Sequence, residues 1–528
     1  MIGSGELRRS KNPMKSAFND SMHPHIVSEL RQTFLSQLPS FLAGQRWFGG
    51  KARQILGVDI IDAIPVGAAE LKTIVLIVTV QYREGVGETY SIPVVSAPQS
   101  GSLSDAFSRT EFLAELLDII RQEREVIGES GRLRGRRGAF FSELFGSRES
   151  ATPKQLTGEQ SNSSVIYGER LILKFFRRVE AGENPDLEIG RFLSDRSRFP
   201  HIARIGGWLE YQPRYGKAAT QAILQEFVPN QGDAWRYAVK TLTAFYQRAA
   251  DAPKPVVSGL QEPSEFAEAS MARLLAEIGV LGKRTAELHL ALASDSGDPA
   301  FAPEPFTREF QNSLATSFAK LTSETLRLLR QRMANVPSEY KDRAEEIAAR
   351  EPDIVHAIRS ALSAPVEAMR TRIHGDYHLG QVLYTGTDFA IIDFEGEPAR
   401  PLEERRLKQS PLQDVAGMLR SFHYAAFAPL LAPATEGSIS HTQHAKLKAW
   451  AETWSQCAAD HFLSQYYETS SSGRHLPANS QEISKLLEIY LLAKGIYELG
   501  YELNSRPAWV GIPLQGIARL LSSTNDCG

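Results

Sequence analysis

From about residue 264 onward, apolar residues recur at helical spacing. Segments 264–292, 306–334, 338–362, 411–427, 442–467 and 480–503 each carry an apolar stripe and read as amphipathic helices. Upstream the period shortens. After a helix ending near Trp47, Leu71 to Tyr82 and Thr89 to Val95 read as strands around the polar stretch Arg83 to Glu88, and Leu171 to Phe176 and Gln221 to Val228 are further runs of strand length. The helical half is interrupted once, where Gln381 to Tyr384 and Phe389 to Asp393 read as a hairpin around a tight turn at Thr385 to Asp388. These patterns predict an α+β protein with a disordered tail over 1–25, an N-terminal α/β domain over 26–150, a small lobe over 151–232 and a mostly helical C-terminal lobe over 233–528.

The hairpin carries the chemistry. In HGDYHLGQ, Asp376 follows His374 and Gly375, Gln381 stands five residues later, and Asp393 closes the second strand. Phosphoryl transfer from ATP needs a carboxylate to accept the proton of the attacking hydroxyl, and metal ions to neutralise charge on the β and γ phosphates. Kinases place a metal-ligating amide five positions after the base aspartate and a second metal-binding Asp at a later strand end. Asp376 is thus the candidate base, and Gln381 and Asp393 are candidate Mg²⁺ ligands, since Mg²⁺ takes hard oxygen donors. His374 either orients the backbone or touches substrate. Glu395 either joins the metal shell or binds the acceptor.

The ATP-binding half is expected upstream. Thr157 to Ser164 is small and polar, so Ser161, Asn162 and Ser163 can lie over phosphates. Lys174 sits in an apolar strand, where an ammonium needs a partner, and Glu188 supplies one from a helix capped by Asn184 with Pro185 at its first position. Backbone groups of Glu226 and Val228, at the end of the next strand, are candidates for adenine. Farther along, Lys494, Tyr497 and Tyr501 fall on one helix face, an ammonium with two phenols, which suits the edge hydroxyls and apolar faces of a sugar. Arg420 and Asp414 either line that pocket or brace the catalytic loop.

Composition narrows the partners. With 59 basic and 62 acidic residues the net charge is −3, so nothing calls for nucleic acid or an anionic membrane. The local basic run of Arg132, Arg134, Arg136 and Arg137 is interspersed with glycine and reads as a solvated loop. Cys457 and Cys527 are too few and too far apart for a disulfide framework. No stretch approaches 18 consecutive apolar residues and residues 1–25 lack an apolar signal core, so a cytoplasmic location is expected.

The segments QRWFGGKAR (Gln45 to Arg53), GEQSNSS (Gly158 to Ser164), NPDLEI (Asn184 to Ile189), LGKRTAELHLALA (Leu281 to Ala293), HGDYHLGQ, DFEGEPARPLEERR (Asp393 to Arg406), PLQDVAGMLRSFHYAA (Pro411 to Ala426) and KGIYELGYELNSRPAW (Lys494 to Trp509) together resemble the bacterial maltokinases, over about residues 26–523. The resemblance implies a bilobal, protein-kinase-like (aminoglycoside-phosphotransferase-like) fold with an N-terminal cap domain. It implies transfer of the γ-phosphoryl of ATP to the anomeric hydroxyl of maltose, with Lys494, Tyr497 and Tyr501 as maltose contacts. Gln381 is the residue usual in that branch, whereas His423 stands where several maltokinases carry an aspartate, so a sugar contact there is expected to differ. In many bacteria such kinases are fused or complexed to trehalose synthase, and 528 residues leave no room for a synthase domain, so that partner is expected to be a separate polypeptide. A glucosamine or aminoglycoside kinase of the same fold is the alternative. From a different class, a catalytically silent regulatory partner of trehalose synthase is the third.

Overall fold

The computed structural model describes residues 24–67, 73–96, 103–146, 152–156, 161–249, 265–431 and 441–523. Residues 1–23 of the expected N-terminal tail, Cys527 and residues 157–160, half of the polar loop, lie outside them. The chain forms two compact units, residues 1–183 with 205–227, and residues 184–204 with 228–528.

The first unit holds two antiparallel sheets. One has the order β1 (Ile55–Pro65), β2 (Thr73–Tyr82), β3 (Glu88–Ser96), β4 (Leu103–Asp105), covered by helix α1 (Pro24–Gly44). The other runs β5 (Glu125–Ile127), β6 (Gly131–Arg137), β10 (Ile205–Pro213), β11 (Ala219–Glu226), β9 (Leu171–Phe176), β8 (Asn162–Tyr167), β7 (Pro153–Gln155). Ile64, Val75 and Ile77 of the first sheet share a core with Leu133, Leu173 and Leu224 of the second, with Leu116 and Ile120 of α2 (Thr110–Arg121) and with Phe141 and Leu144 of α3 (Phe141–Phe145). The domain boundary expected at residue 150 therefore falls inside one sheet, because β5 and β6 pair onto β10.

The basic run expected to be a loop is strand β6. Arg132 and Arg134 pair with Glu125 of β5, and Arg136 pairs with Glu210 of β10, so cross-strand carboxylates neutralise what looked like a solvated patch. Its glycines serve contact rather than flexibility. A Cβ at Gly135 would overlap the Ile119 carbonyl oxygen, so only glycine lets α2 lie directly on the strand.

Two buried charges join the sheets. Arg177, 1% exposed, pairs with Asp105 at 2.8 Å, donates through Nε to Ser163 Oγ at 2.8 Å and lies over the rings of Trp47 and Phe107. Asp62, fully buried, accepts from the amides of Ala63 and Ser130 and from the Tyr211 hydroxyl.

In the second unit, α4 (Pro185–Arg191) is followed by α5 (Ala234–Ala249), α6 (Glu265–Leu292), α7 (Arg308–Gln331), α8 (Lys341–Ala349), α9 (Glu351–Ala361), α10 (Leu402–Arg405), α11 (Leu412–Leu431), α12 (His441–Ser470), α13 (Ser480–Ser505) and α14 (Gly511–Ser523). The six helical segments read from the pattern are all present, with 338–362 divided into α8 and α9 where Pro352 opens a new helix. One apolar core, including Leu281, Leu326, Val415, Phe422, Phe462 and Ile496, runs through the bundle. Between α9 and α11 lie β13 (Met369–Arg370), paired with β12 (Glu304–Pro305), and the hairpin β14 (Val382–Tyr384) with β15 (Phe389–Ile391). Among the described residues no helix is long and apolar enough to cross a membrane.

Candidate active site

The loop 374–381 is set by one buried carboxylate. Asp414, in the first turn of α11 and 1% exposed, accepts the amide of His374 at 2.8 Å and the amide of Gly375 at 2.9 Å. His289 of α6 meets the same carboxylate through Nε2 at 3.0 Å, and its Nδ1 is 2.9 Å from the Tyr466 hydroxyl of α12. Burial pushes the Asp414 carboxyl up, but the His289 bond, the nearby histidine charges and the Gly375 amide outweigh it and hold the group below its ordinary value. Helix α11 also touches the loop directly. A Cβ at Gly417 would lie 2.5 Å from the Tyr377 carbonyl oxygen, so glycine is needed there. Asp414, left open between pocket and brace, is a brace.

On this loop Asp376 is half-buried, with its Oδ1 3.8 Å from Lys494 Nζ of α13. Burial raises its pKa; the Lys494 and His374 charges oppose that, and Asp393 and Asp414 reinforce it. A carboxylate so placed is a stronger proton acceptor than an exposed one. His378 stands 3.9 Å from Asp376 with its Nδ1 accepting the Gly380 amide, and burial with the His374 and Lys494 charges pushes it down to about 4, so it is neutral at physiological pH.

His374, left open between backbone and substrate, serves the backbone. It is 1% exposed, its Nε2 is 2.9 Å from the Ile392 carbonyl and its Nδ1 faces the Asp376 amide at 3.4 Å, so both ring nitrogens serve the backbone. That bond ties the loop to the end of β15. The hairpin brings the two expected metal ligands together, since the Ile392 amide donates to the Gln381 carbonyl at 3.0 Å and Asp393 follows immediately. Its turn is clamped by Arg284 of α6, which grips both Asp388 oxygens at 2.9 and 2.7 Å.

Asp393 has φ +69°, a left-handed conformation that costs a non-glycine residue roughly 1–2 kcal/mol and aims its side chain away from the strand direction. Its carboxylate gathers with those of Asp186 and Glu395, ligand atoms all within 4.8 Å of one another, which is an oxygen set suited to a hard divalent cation. Glu395 thus joins the carboxylates rather than the acceptor face to which it was also assigned. Asp186 was missed as a ligand. It belongs to α4, where Asn184 caps the Asp186 amide as expected, and its Oδ1 accepts the Phe394 amide at 2.9 Å, a pairing across 208 residues that no local spacing signals. Glu188, two residues on, accepts from Arg372 at 2.8 Å and Arg406 at 2.6 Å, arginines that sequence reading had not linked to it.

On α13, Lys494 Nζ lies 5.0 Å from the Tyr497 ring centroid. The Tyr497 hydroxyl is raised in pKa by burial and then by Glu397, its hydrogen-bond partner. Glu397 was another omission, sitting in DFEGEP one glycine past Glu395. Tyr501 is 50% exposed and packs beneath Arg506. Arg420, proposed as a sugar contact, is 5% exposed and grips Glu498 at 2.7 Å, so it fastens α11 to α13. His423 lies against Arg420 and Phe427, and burial followed by the charges of Arg420 and Arg519 holds it neutral.

In the first unit, Lys174 lies in β9 with its ammonium 5.3 Å from the Phe176 ring. Ser161 is exposed and Asn162 half-buried, whereas Ser163 is buried with its hydroxyl taken by Arg177, so its side chain is committed to the sheet and not to a phosphate. Glu226 ends β11, and in the second unit the Val228 carbonyl accepts the Asn230 side chain at 2.8 Å.

Comparison with known proteins agrees with this architecture. The model of the phosphotransferase enzyme family matches residues 153–450, and that of the maltokinase N-terminal cap domain matches residues 41–111. A glucosamine kinase of Streptacidiphilus jiangxiensis is 25% identical over 386 residues, 72% of this chain and 77% of that protein. Another, of Mycolicibacterium smegmatis, is 26% identical over 307 residues, 57% of this chain and 67% of that protein. Among solved structures, a glucosamine kinase in complex with glucosamine, ADP and inorganic phosphate shares the fold with a TM-score of 0.60 at 20% identity, covering 89% of this chain and 96% of that one. The protein belongs to the phosphotransferase enzyme family, an aminoglycoside-phosphotransferase-like kinase fold that carries a maltokinase N-terminal cap domain.

Proposed function

We propose that this protein is an ATP-dependent sugar kinase whose acceptor is the anomeric hydroxyl of maltose, giving maltose 1-phosphate. The observation that carries the reading is Asp376, raised in pKa by burial, 3.8 Å from the Lys494 ammonium on a loop fixed by Asp414. The maltokinase cap domain supports the choice of acceptor.

In the proposed reaction Asp376 takes the proton of the acceptor hydroxyl while that oxygen bonds to the γ-phosphorus and the bond to the β–γ bridging oxygen breaks, releasing ADP. Lys494 orients the acceptor oxygen beside the base, and Tyr497 offers its ring to a sugar face. Asp393, Asp186, Glu395 and Gln381 would hold Mg²⁺, which neutralises the phosphate charge. Lys174, Ser161 and Asn162 are the proposed phosphate contacts, with Glu188 a supporting carboxylate and Glu226 and Val228 offering backbone groups to adenine. A trehalose synthase is the partner this reading implies, in the cytoplasm, and co-purification would test it.

Glucosamine is the second acceptor, favoured by Glu397 beside Tyr497, since a carboxylate there can pair with an amino sugar, and by the names of the relatives. Purified protein with ATP and Mg²⁺ should release ADP with maltose, and ³¹P NMR should show an anomeric 1-phosphate. Inert maltose with rapid turnover of glucosamine would replace the first reading by the second; inertness across the whole acceptor panel would remove both.

A further inference from the structure

We propose that Tyr384 and Glu277 are positioning residues for the metal–nucleotide complex: they hold the segment 228–233, where the adenine contact is proposed, in fixed register with the hairpin that carries Gln381 and Asp393. This rests on the kinase reading above and adds the residues that join the two ends of its nucleotide site. The joint is made first by backbone. The Gln231 amide donates to the Tyr384 carbonyl at 2.8 Å, the Tyr384 amide donates to the Gly232 carbonyl at 2.9 Å, and Asp233 bridges Leu383 in antiparallel sense, so 231–233 runs along β14 as a third strand. On the other edge of the hairpin the Ile391 amide donates to the His201 carbonyl at 2.8 Å. The chain leaves the second unit after Arg204 and re-enters it at Val228. Both edges of the hairpin are therefore bonded to segments that lead to or from the first unit.

Side chains then fix what the backbone begins. Each oxygen of the Glu277 carboxylate takes one phenol, Oε1 from Tyr384 at 2.6 Å and Oε2 from Tyr237 of α5 at 2.5 Å. The two rings are stacked, with centroids 4.1 Å apart and planes 11° from parallel. Arg273 completes the group, donating to Glu277 Oε1 at 2.9 Å and to the Tyr384 hydroxyl at 3.0 Å. Glu277 is 9% exposed, and its short charge-assisted bonds are directional, so they set where Tyr384 lies instead of merely filling space. Arg284, which clamps the hairpin turn, stands seven residues after Glu277 on the same face of α6. One helix face thus holds the hairpin at its turn and at its junction with 231–233.

The consequence falls on the metal ligands. Gln381 stands three residues before Tyr384, and its carbonyl accepts the Ile392 amide beside Asp393. A shift of β14 against 231–233 therefore moves both expected ligands relative to a nucleotide whose base is held at the Val228 backbone. Neither Tyr384 nor Glu277 belongs to the carboxylate trio of Asp186, Asp393 and Glu395, so the pair acts through register and not by ligation.

The test is equilibrium binding to the full chain, by calorimetry, of adenosine, of ADP and of ADP with Mg²⁺, in the wild type, Tyr384→Phe, Glu277→Gln and the double variant. Tyr384→Phe keeps the stacked ring and its volume, and the calorimetric stoichiometry counts the folded molecules. In the wild type Mg²⁺ is expected to tighten ADP. In each single variant that gain should fall about fivefold or more, as loss of a hydrogen bond to a charged group implies, while adenosine binds as before. The double variant should lose scarcely more than Glu277→Gln alone, because both changes remove one shared contact. Equal weakening of adenosine and of ADP with Mg²⁺ would make the pair ordinary packing, and an unchanged Mg²⁺ gain in both variants would leave it without a role at the nucleotide; either result overturns this proposal alone. A wild type whose ADP affinity ignores Mg²⁺ overturns the metal assignment of the kinase reading, and this proposal with it.

Discussion

Arg177 in the first unit and Asp414 in the second are both ionisable, both about 1% exposed, and put to different ends. Arg177 faces one carboxylate, one hydroxyl and three aromatic rings, contacts that join the cap sheet to the seven-stranded sheet. Asp414 faces two backbone amides and a histidine, contacts that fix the φ and ψ of a loop one residue from the proposed base. A buried charge surrounded by side chains fastens elements together; one surrounded by backbone amides shapes a conformation. Both are costly to leave unpaired, but only the second bears on chemistry.

The comparison can be broken by mutation, and Asp376→Asn sets the scale of a chemical defect. It should reduce kcat by roughly 10²–10⁴-fold, the usual worth of a general base, while the melting temperature stays the same or rises, because burial disfavours the charge being removed. A variant that keeps more than a tenth of the activity would move the base elsewhere. Asp414→Ala should show both defects, losing roughly 3–5 kcal/mol of stability in denaturant titration as a buried pair is broken, and lowering kcat of the folded fraction at least tenfold. The pH dependence separates it further. Asp414 is depressed below its ordinary 3.8, so its contribution is present above that value and lost as pH falls through the folded pKa, and the variant should show a flatter acid limb of stability.

Arg177→Met should lose only about 1–3 kcal/mol, since Asp105 retains 22% exposure and can hydrate, with kcat per folded molecule unchanged. A kcat loss matching that of Asp414→Ala would erase the distinction drawn between the two sites. The smallest effect is on position rather than height. Activity should rise with pH as Asp376 loses its proton, with a midpoint above the ordinary 3.8, and Lys494→Met should shift that midpoint upward because the ammonium favours the ionised form. A pH–rate profile of kcat/KM that does not move would separate Lys494 from the base.

Much of this was legible along the chain because it is local. Helix segments follow from apolar period, the Asn184 cap and Pro185 start from side-chain chemistry, and the pairing of Gln381 with Asp393 from a hairpin that closes over a few residues. The misreadings share a cause. The arginines of β6 looked solvated because their partners Glu125 and Glu210 are chosen by strand register, and His374 stayed open between backbone and substrate because its burial depends on the Ile392 carbonyl and the amide-binding Asp414. Asp186, Glu397 and the pairs made by Glu188 and Arg420 were likewise hidden in contacts between distant segments.

The sequence by itself determined which residue types are available for phosphoryl transfer and which short elements carry them, since propensity, capping and spacing act over a few residues. Only the tertiary structure decided which carboxylate is buried beside a lysine, which gather within a few ångströms of one another and which hold a loop. Those roles depend on burial and on the charges within a few ångströms of each group, and both are set by segments that meet only when the chain is folded.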